Sequence, residues 1–70
     1  MKILVIGNGG REHAIVWKLA NDSCRPQIYC APGNGGTAQH AQNIEIPAND
    51  IENIVNWCEK NEPDLVIIGP

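Results

Sequence analysis

Three ionisable side chains stand together directly after a glycine-rich segment. Arg11, Glu12 and His13 follow Gly7–Gly10, which reads GNGG. Backbone N–H groups of such a segment can approach an anion closely, because glycine has no Cβ, and a helix that begins there adds a partial positive charge. An arginine at the same place can form charge-assisted hydrogen bonds to phosphate. The pattern therefore indicates a binding site for a phosphate-bearing ligand.

Two interpretations of the charged run stay open. The three side chains can simply be solvated in the first turn of a helix. Alternatively, Arg11 reaches a ligand phosphate, while Glu12 complements the helix dipole and holds a hydrogen-bond donor of the substrate. His13 can cap the helix, contact a second glycine loop or titrate, and the sequence does not choose among these roles.

The glycine segment does not fit the common nucleotide-binding fingerprints. The pattern G-x-G-x-x-G requires glycine at position 12, where this chain has Glu12, and a carboxylate that faces a pyrophosphate is unfavourable. The same fingerprint requires an acidic residue at the end of the second strand, but residues 30–32 read CAP. The chain also lacks G-x-x-x-x-G-K-[ST]. We therefore predict neither a nicotinamide or flavin site nor a Walker-type site in this chain.

The first half of the chain predicts a strand, a helix and a second strand. An uninterrupted apolar run indicates a strand, Lys2–Ile6, that is covered on both faces, as in a parallel sheet. A helix is predicted from Gly10 or Arg11 to Asn21, and the β-branched and aromatic stretch Gln27–Ala31 is predicted as the second strand. The loop Pro32–Thr37 then repeats the letters GNGG.

The second half predicts a short strand, a helix and a further apolar strand. A helical turn is predicted within Ala38–Gln42 and an edge strand over Asn43–Ile46. Asn49 is the predicted cap of the next helix, with Glu52 reaching back to it. We predict that Leu65–Ile68 is a second buried central strand. The helix shows an apolar stripe at i, i+3, i+4 and i+7, formed by Ile51, Ile54, Val55 and Cys58.

These elements predict an α/β fold, namely half of a Rossmann-type domain. Right-handed crossovers give a parallel four-stranded sheet of order 3-2-1-4 with helices on both faces. Ligands of such sheets bind outside the carboxyl ends of the strands, where the winding direction reverses. The crevice there would be walled by the two glycine loops and by the end of the chain. The predicted substrate-binding residues are Gly7, Asn8, Gly9, Gly10, Arg11, Glu12, Pro32, Gly33, Asn34, Gly69 and Pro70.

Composition narrows the class of protein further. The chain has 70 residues, enough for one domain, and a formal net charge of −3, which argues against nucleic-acid and anionic-membrane partners. No secretory leader or membrane-spanning run is visible, so we expect a cytoplasmic protein. Three cysteines without C-x-x-C spacing indicate free thiols. The two histidines, His13 and His40, are far apart in sequence and form no H-x-x-x-H pair, which argues against a metal site.

Three collinear segments resemble the amino-terminal region of the phosphoribosylamine–glycine ligase family (glycinamide ribonucleotide synthetase). They are residues 3–19, which contain GNGGREHA and a Trp-Lys-Leu helix, residues 31–38 (APGNGGTA), and residues 66–70 (VIIGP). The first segment is fairly specific and the other two support it. Asn8 stands where the family commonly has Ser, and Gly35 where it commonly has Ala, which implies a looser second loop.

The resemblance implies that residues 1–70 are the amino-terminal, pre-ATP-grasp domain of a longer ligase. That enzyme would activate the glycine carboxylate as an acyl phosphate, and the amine of 5-phosphoribosylamine would attack it, giving glycinamide ribonucleotide, ADP and phosphate in purine biosynthesis. The ATP and Mg²⁺ sites would lie outside this chain. We predict no catalytic or metal-binding residue in it and no ligase activity of the fragment alone. Its partners would be 5-phosphoribosylamine and the rest of its own polypeptide.

Two other functions stay open. The chain could begin another ATP-grasp ligase with a different acceptor, although the Arg11–His13 run argues against that class. It could also be a non-catalytic phosphate-binding or interaction module. The sequence that follows Pro70 would separate these possibilities.

Overall fold

A computed structural model describes residues 1–68 of the chain. The elements alternate between strands and helices, as the periodicity predicts, and a single 3-10 turn lies in the middle. In chain order they are β1 (Lys2–Gly7), α1 (Gly10–Ala20), β2 (Gln27–Pro32), the 3-10 turn Thr37–Gln39, β3 (Gln42–Asn43), α2 (Ile51–Asn61) and β4 (Leu65–Ile68). Within these residues, no helix has the length and apolar character needed to cross a membrane.

The four strands form one sheet in the order β3-β2-β1-β4, and every pair is parallel. One apolar cluster joins Ile3, Val5 and Cys30 to α1 through Val16. On the other face, Leu4 and its neighbours on β1 and β2 pack against α2. Alternate residues of β1 thus face opposite helices, which explains its uninterrupted apolar run. The predicted α/β fold, strand order and two-sided helix layer are confirmed.

The boundaries in the middle of the chain differ from the prediction. The helical turn covers Thr37–Gln39 rather than residues 38–42, and β3 covers Gln42–Asn43 rather than Asn43–Ile46. The N–H of Ile44 still donates to Cys30 O, but the N–H of Ile46 turns back to Ile44 O and leaves the ladder. The alternating pattern of residues 43–46 is therefore satisfied by packing of Ile44 and Ile46 beside the α2 cluster, and not by a longer strand.

The start of α2 also lies one residue later than predicted. Asp50, and not Asn49, caps the helix: its Oδ1 accepts from the backbone N–H of Asn53, and its Oδ2 accepts from the Asn53 side-chain amide. A carboxylate is favoured at this position because it also interacts with the positive end of the helix dipole. Glu52 therefore stands two residues after the cap and cannot close the predicted capping box.

The apolar stripe predicted for α2 is only partly correct. Ile54 is 7% exposed and Cys58 is half-buried, but Ile51 and Val55 are 66% and 47% exposed. The buried face is turned toward Trp57, which packs beside the same cluster and meets Tyr29 edge-to-face with ring centroids 5.1 Å apart. The helical period was correct but its phase was wrong, since the face that meets the sheet is formed by Ile54, Trp57 and Cys58.

The prediction that β4 is a buried central strand is wrong for the part of the chain that the structure describes. β4 pairs with β1 but lies at the edge of the sheet, and most of its residues are exposed. Leu65, Val66 and Ile68 are 45%, 40% and 70% exposed. An uninterrupted apolar run identifies a strand that is suited to burial, but it does not state which element covers it.

The two neighbouring residues of α2 provide a test of this packing. Ile54→Ala should lower the free energy of unfolding by about 2–5 kcal/mol, because it opens a cavity in the α2 cluster. Val55→Ala should change it by less than about 0.5 kcal/mol, because Val55 is exposed and alanine favours helix. Urea unfolding followed by tryptophan fluorescence measures both, and equal losses would show that the helix is rotated from the position described.

Candidate functional site

The two glycine-rich loops lie side by side at the carboxyl edge of the sheet. Gly7 ends β1 and Pro32 ends β2, and these two residues are partners in the parallel ladder. The N–H of Gly33 donates to Gly7 O at 3.0 Å, so the second loop begins in contact with the first. This juxtaposition of Gly7–Gly10 with Pro32–Asn34 is the arrangement that parallel topology predicts.

Glu12 shapes the first loop from inside. Its side chain is 5% exposed and its Oε2 accepts the N–H of Gly9 at 3.0 Å. The solvated interpretation is therefore wrong for Glu12. Gly7 has φ +143°, and a Cβ there would collide with the Glu12 side chain. The carboxylate thus occupies the space that the glycine leaves, and its charge lies at the positive end of α1.

The first turn of α1 is exposed at Gly10 and Arg11. Gly9 is the N-cap and accepts the N–H of His13 at 3.1 Å. The N–H groups of Gly10 and Arg11 lie in the turn that has no intrahelical acceptors. A Cβ added at Gly10 would meet no atom within 4 Å among the residues considered, and the Arg11 side chain is exposed. These two residues can therefore contact a ligand without displacing protein atoms.

His13 contacts the second glycine loop, which was one of its three predicted roles. A Cβ at Gly36 would collide with the His13 ring. On the same side, His13 stacks on His40, with ring centroids 6.4 Å apart and planes at 25°. His13 is half-buried and His40 is exposed. The histidine of the charged run thus packs α1 against the second glycine loop.

Asn34 connects the second loop to the first. Its Nδ2 donates to the carbonyl oxygens of Asn8 and Gly9, at 2.8 and 3.2 Å. Its Oδ1 accepts the N–H of Thr37 at 2.9 Å, while its own N–H donates to Thr37 Oγ1 at 2.8 Å. Both polar atoms of the Asn34 side chain are therefore engaged within the protein.

Two further polar residues support this loop and were missed in the sequence. Thr37 is fully buried, and its hydroxyl donates to Asn43 Oδ1 at 2.7 Å. Asn43 Nδ2 donates in turn to Asn34 O at 2.9 Å. The sequence pattern places Thr37 only at the end of the loop and Asn43 only at the start of a strand. A possible signal was the pair of short polar residues beside a glycine loop, since such side chains commonly bond to nearby backbone.

Cys30 lies beneath the two glycine loops, in the apolar core. Its buried thiol lies 3.6 Å from Gly7 O and points at that carbonyl as a donor. Burial raises the pKa of the Cys30 thiol, and the nearby Glu12 carboxylate acts in the same direction. The thiol is therefore protonated at neutral pH and supports the end of β1 as a weak hydrogen-bond donor.

Several predicted features lie outside this edge or outside the described residues. Gly69 and Pro70, predicted to wall the crevice, lie beyond residue 68, so their position is not described. Within residues 1–68, no group of three His, Cys, Asp or Glu side chains is arranged to hold a metal ion. A surface hollow of about 490 Å³ lies at the opposite end of α1, beside Asn21, Arg25 and His40. It is wide open to solvent and shares none of the predicted substrate-binding residues.

Comparison with known proteins gives consistent matches along the whole chain. Residues 1–70 match the family described as "Phosphoribosylglycinamide synthetase, N domain". The chain is 47% identical over 70 residues to the phosphoribosylamine–glycine ligase of Clostridium acetobutylicum, covering 100% of this chain and 17% of that protein. It is 46% identical over 72 residues to the ligase of Pasteurella multocida, again covering 100% of this chain and 17% of the relative.

A solved structure matches the fold. It is the crystal structure of phosphoribosylamine–glycine ligase from Thermotoga maritima, with a TM-score of 0.74 and 28% sequence identity. The match covers 100% of this chain and 16% of that one. The chain thus spans about a sixth of the length of the relatives that it matches.

Proposed function

Since this chain belongs to the phosphoribosylglycinamide synthetase N-domain family, we propose that residues 1–70 are the amino-terminal substrate-binding domain of a longer phosphoribosylamine–glycine ligase. The observation that carries the proposal is the match of the entire chain to this family. In this chain, the two glycine loops also meet at the start of α1. The named relatives are ligases of the same reaction.

The proposed reaction joins glycine to 5-phosphoribosylamine. Phosphorylation of the glycine carboxylate by ATP would give an acyl phosphate and release ADP. The amine of phosphoribosylamine would then attack the carbonyl carbon of the acyl phosphate, forming glycinamide ribonucleotide and releasing phosphate. Residues 1–68 offer no cluster of metal ligands, so we assign Mg²⁺ and ATP to the remaining part of the longer protein. The rest of that polypeptide is then the direct partner of this domain. A cytoplasmic location, and the absence of nucleic-acid and membrane partners, stay predictions from the sequence.

The contribution of this domain is to hold the phosphoribosyl group. The N–H groups of Gly10 and Arg11 donate to its phosphate or ribose oxygens, and the guanidinium of Arg11 pairs with the phosphate. Gly7 and Glu12 shape the loop, while Pro32 and Gly33 line it from the second loop. Substrate binding by Gly69 and Pro70 stays a prediction from the sequence. Binding in a fixed orientation lowers the entropic cost of the attack by the amine. No residue of this chain transfers a proton or forms a covalent bond in the proposal.

A coupled assay of the full-length protein tests the reaction. ADP release should require ATP, glycine and phosphoribosylamine together, and glycinamide ribonucleotide should accumulate in equal amount. ADP release with another amine acceptor, but not with phosphoribosylamine, would assign the chain to a different ATP-grasp ligase. If no acceptor supports ADP release, the proposal of a ligase is wrong and a non-catalytic module is favoured.

The same proposal makes a prediction for the chain alone. Residues 1–70 should not bind Mg-ATP measurably and should have no ligase activity, because the nucleotide and metal sites are assigned to other parts of the protein. Isothermal titration of the chain with Mg-ATP measures this directly. Binding in the micromolar range would place a nucleotide site in this domain and contradict the assignment.

A further inference from the structure

We propose that Asn34 is a positioning residue: it fixes the Gly9–Gly10 peptide so that the Gly10 N–H points into the crevice. The inference rests on the proposed function and adds to it the element that sets the geometry of the substrate contact. The role differs from direct substrate binding, which the sequence predicted for Asn34.

The bonds of Asn34 lie on the two peptides that precede α1. Its Nδ2 donates to Asn8 O at 2.8 Å and to Gly9 O at 3.2 Å, so the amide contacts both of these peptides of the first loop. Gly9 O also accepts the N–H of His13, the first bond of the helix. The amide therefore reaches the joint between loop and helix from a loop that is 25 or 26 residues away in sequence.

Holding a carbonyl fixes the N–H of the following residue. The Gly9–Gly10 peptide is trans, and in a trans peptide the C=O and N–H bonds point in opposite directions. A rotation of this peptide that moved the Gly10 N–H would also remove Gly9 O from Asn34. The peptide before it is held at both ends, because Asn8 O accepts from Asn34 and the Gly9 N–H donates to Glu12.

The orientation of the Asn34 amide is itself determined. Its Oδ1 faces the N–H of Thr37 and its Nδ2 faces two carbonyl oxygens, so exchanging the two atoms would turn every bond into a repulsion. The buried Thr37 and the half-buried Asn43 both form hydrogen bonds to the backbone of Asn34. Because its own backbone is held in place, Asn34 can restrain the first loop instead of moving with it.

Kinetics of the full-length protein with Asn34→Asp and Asn34→Ala test the proposal. Both variants lose the donor, but only Asn34→Asp adds a charge. We expect kcat/KM for phosphoribosylamine to fall by about 10- to 100-fold in both variants, the scale of a misplacement near 1 Å, through a higher KM. The KM values for glycine and ATP should not change. Ribose 5-phosphate should also inhibit the variants more weakly, in proportion to the higher KM.

Asn21→Asp is the matched control. Asn21 Nδ2 also donates to a backbone carbonyl, that of Trp17 at 2.7 Å, but at the opposite end of α1. The substitution removes the same kind of bond and adds the same charge, and it should leave all three KM values unchanged. If the Asn34 variants fail to fold, Thr37→Val tests the same support by removing the hydroxyl behind Asn34.

The outcomes separate the positioning role from its alternatives. If Asn34→Asp is impaired and Asn34→Ala is not, the added charge is responsible and the proposal is overturned. A uniform loss of kcat with all KM values unchanged would show a smaller folded fraction only, and would also overturn it. Variants that match wild type while Arg11→Ala is impaired would refute the role of Asn34 and leave the proposed function intact. A wild-type protein that does not use phosphoribosylamine would refute both.

Discussion

A Gly7→Ala variant is expected to lose about 2–5 kcal/mol of folding stability, although the change adds one methyl group. Gly7 has φ +143°. A residue with a Cβ rarely adopts this conformation, which costs it about 1–3 kcal/mol. The new methyl would also collide with the buried Glu12 side chain. Displacing Glu12 removes its bond to the Gly9 N–H, so overpacking and loss of a partly buried hydrogen bond add to the strain.

Gly10→Ala is the matched control for this prediction. Gly10 opens α1, has no positive φ, and faces no atom within 4 Å at the Cβ position. Alanine there should leave stability unchanged or raise it by up to about 1 kcal/mol. Urea unfolding of wild type and both variants measures the difference. Equal stability of the Gly7 and Gly10 variants would contradict the fit of Glu12 under Gly7.

Much of the fold could be predicted because each strand, helix and loop has its own local sequence pattern. Uninterrupted apolar runs at Ile3–Ile6 and Leu65–Ile68, separated by glycine loops and helical periodicity, leave few topologies once crossovers are right-handed. The meeting of the two glycine loops follows from the parallel order, because both leave the same edge of the sheet. The first helix ends at Ala20, with Asn21 as its C-cap, which is within one residue of the predicted end.

The remaining errors come from tertiary contacts that no local pattern encodes. Ile51 and Val55 have the spacing of a core stripe but are exposed, whereas Trp57 packs against Tyr29 on the buried side of α2. The choice of Asp50 over Asn49 as a cap depends on the path of the chain after Pro47, where the N–H of Asp50 bonds to the Pro47 carbonyl. Either residue suits a cap, so composition alone could not decide.

The meeting of the two glycine loops was predictable from the topology, but the contacts within them were not. Glu12 looks like a side chain for a ligand because it follows a glycine loop, but it turns back to the Gly9 N–H. Asn34 similarly bonds to the first loop. Polar residues near a flexible loop can satisfy the loop or a ligand with the same atoms, and only the three-dimensional arrangement shows which groups are left for the ligand.

Arg11→Ala is expected to have the largest effect on catalysis by the full-length protein. Arg11 is exposed in the first turn of α1, next to the open space at Gly10. A charge-assisted bond to the substrate phosphate contributes about 1.5–3 kcal/mol, which corresponds to a fall of about 10- to 150-fold in kcat/KM for phosphoribosylamine. Arg11→Lys should restore only part of this, because a point charge replaces a planar pair of donors.

Lys18→Ala separates a local contact from a general loss of positive charge. Lys18 is an exposed cation in the last turn of the same helix, and its removal changes the net charge by the same amount. It should leave kcat/KM for phosphoribosylamine within about twofold of wild type, since exposed charges beyond a Debye length are largely screened. The KM for ATP should be unchanged in all three variants, because the nucleotide site is assigned outside this domain.

The most direct test of substrate binding at the α1 N-terminus is therefore kcat/KM for phosphoribosylamine in folded, full-length Arg11→Ala, measured at saturating ATP and glycine. The expected result is a fall of about 10- to 150-fold, with Lys18→Ala close to wild type. An Arg11→Ala protein with wild-type kcat/KM would remove this residue from the site. It would leave the two glycine loops as a structural joint between strand and helix.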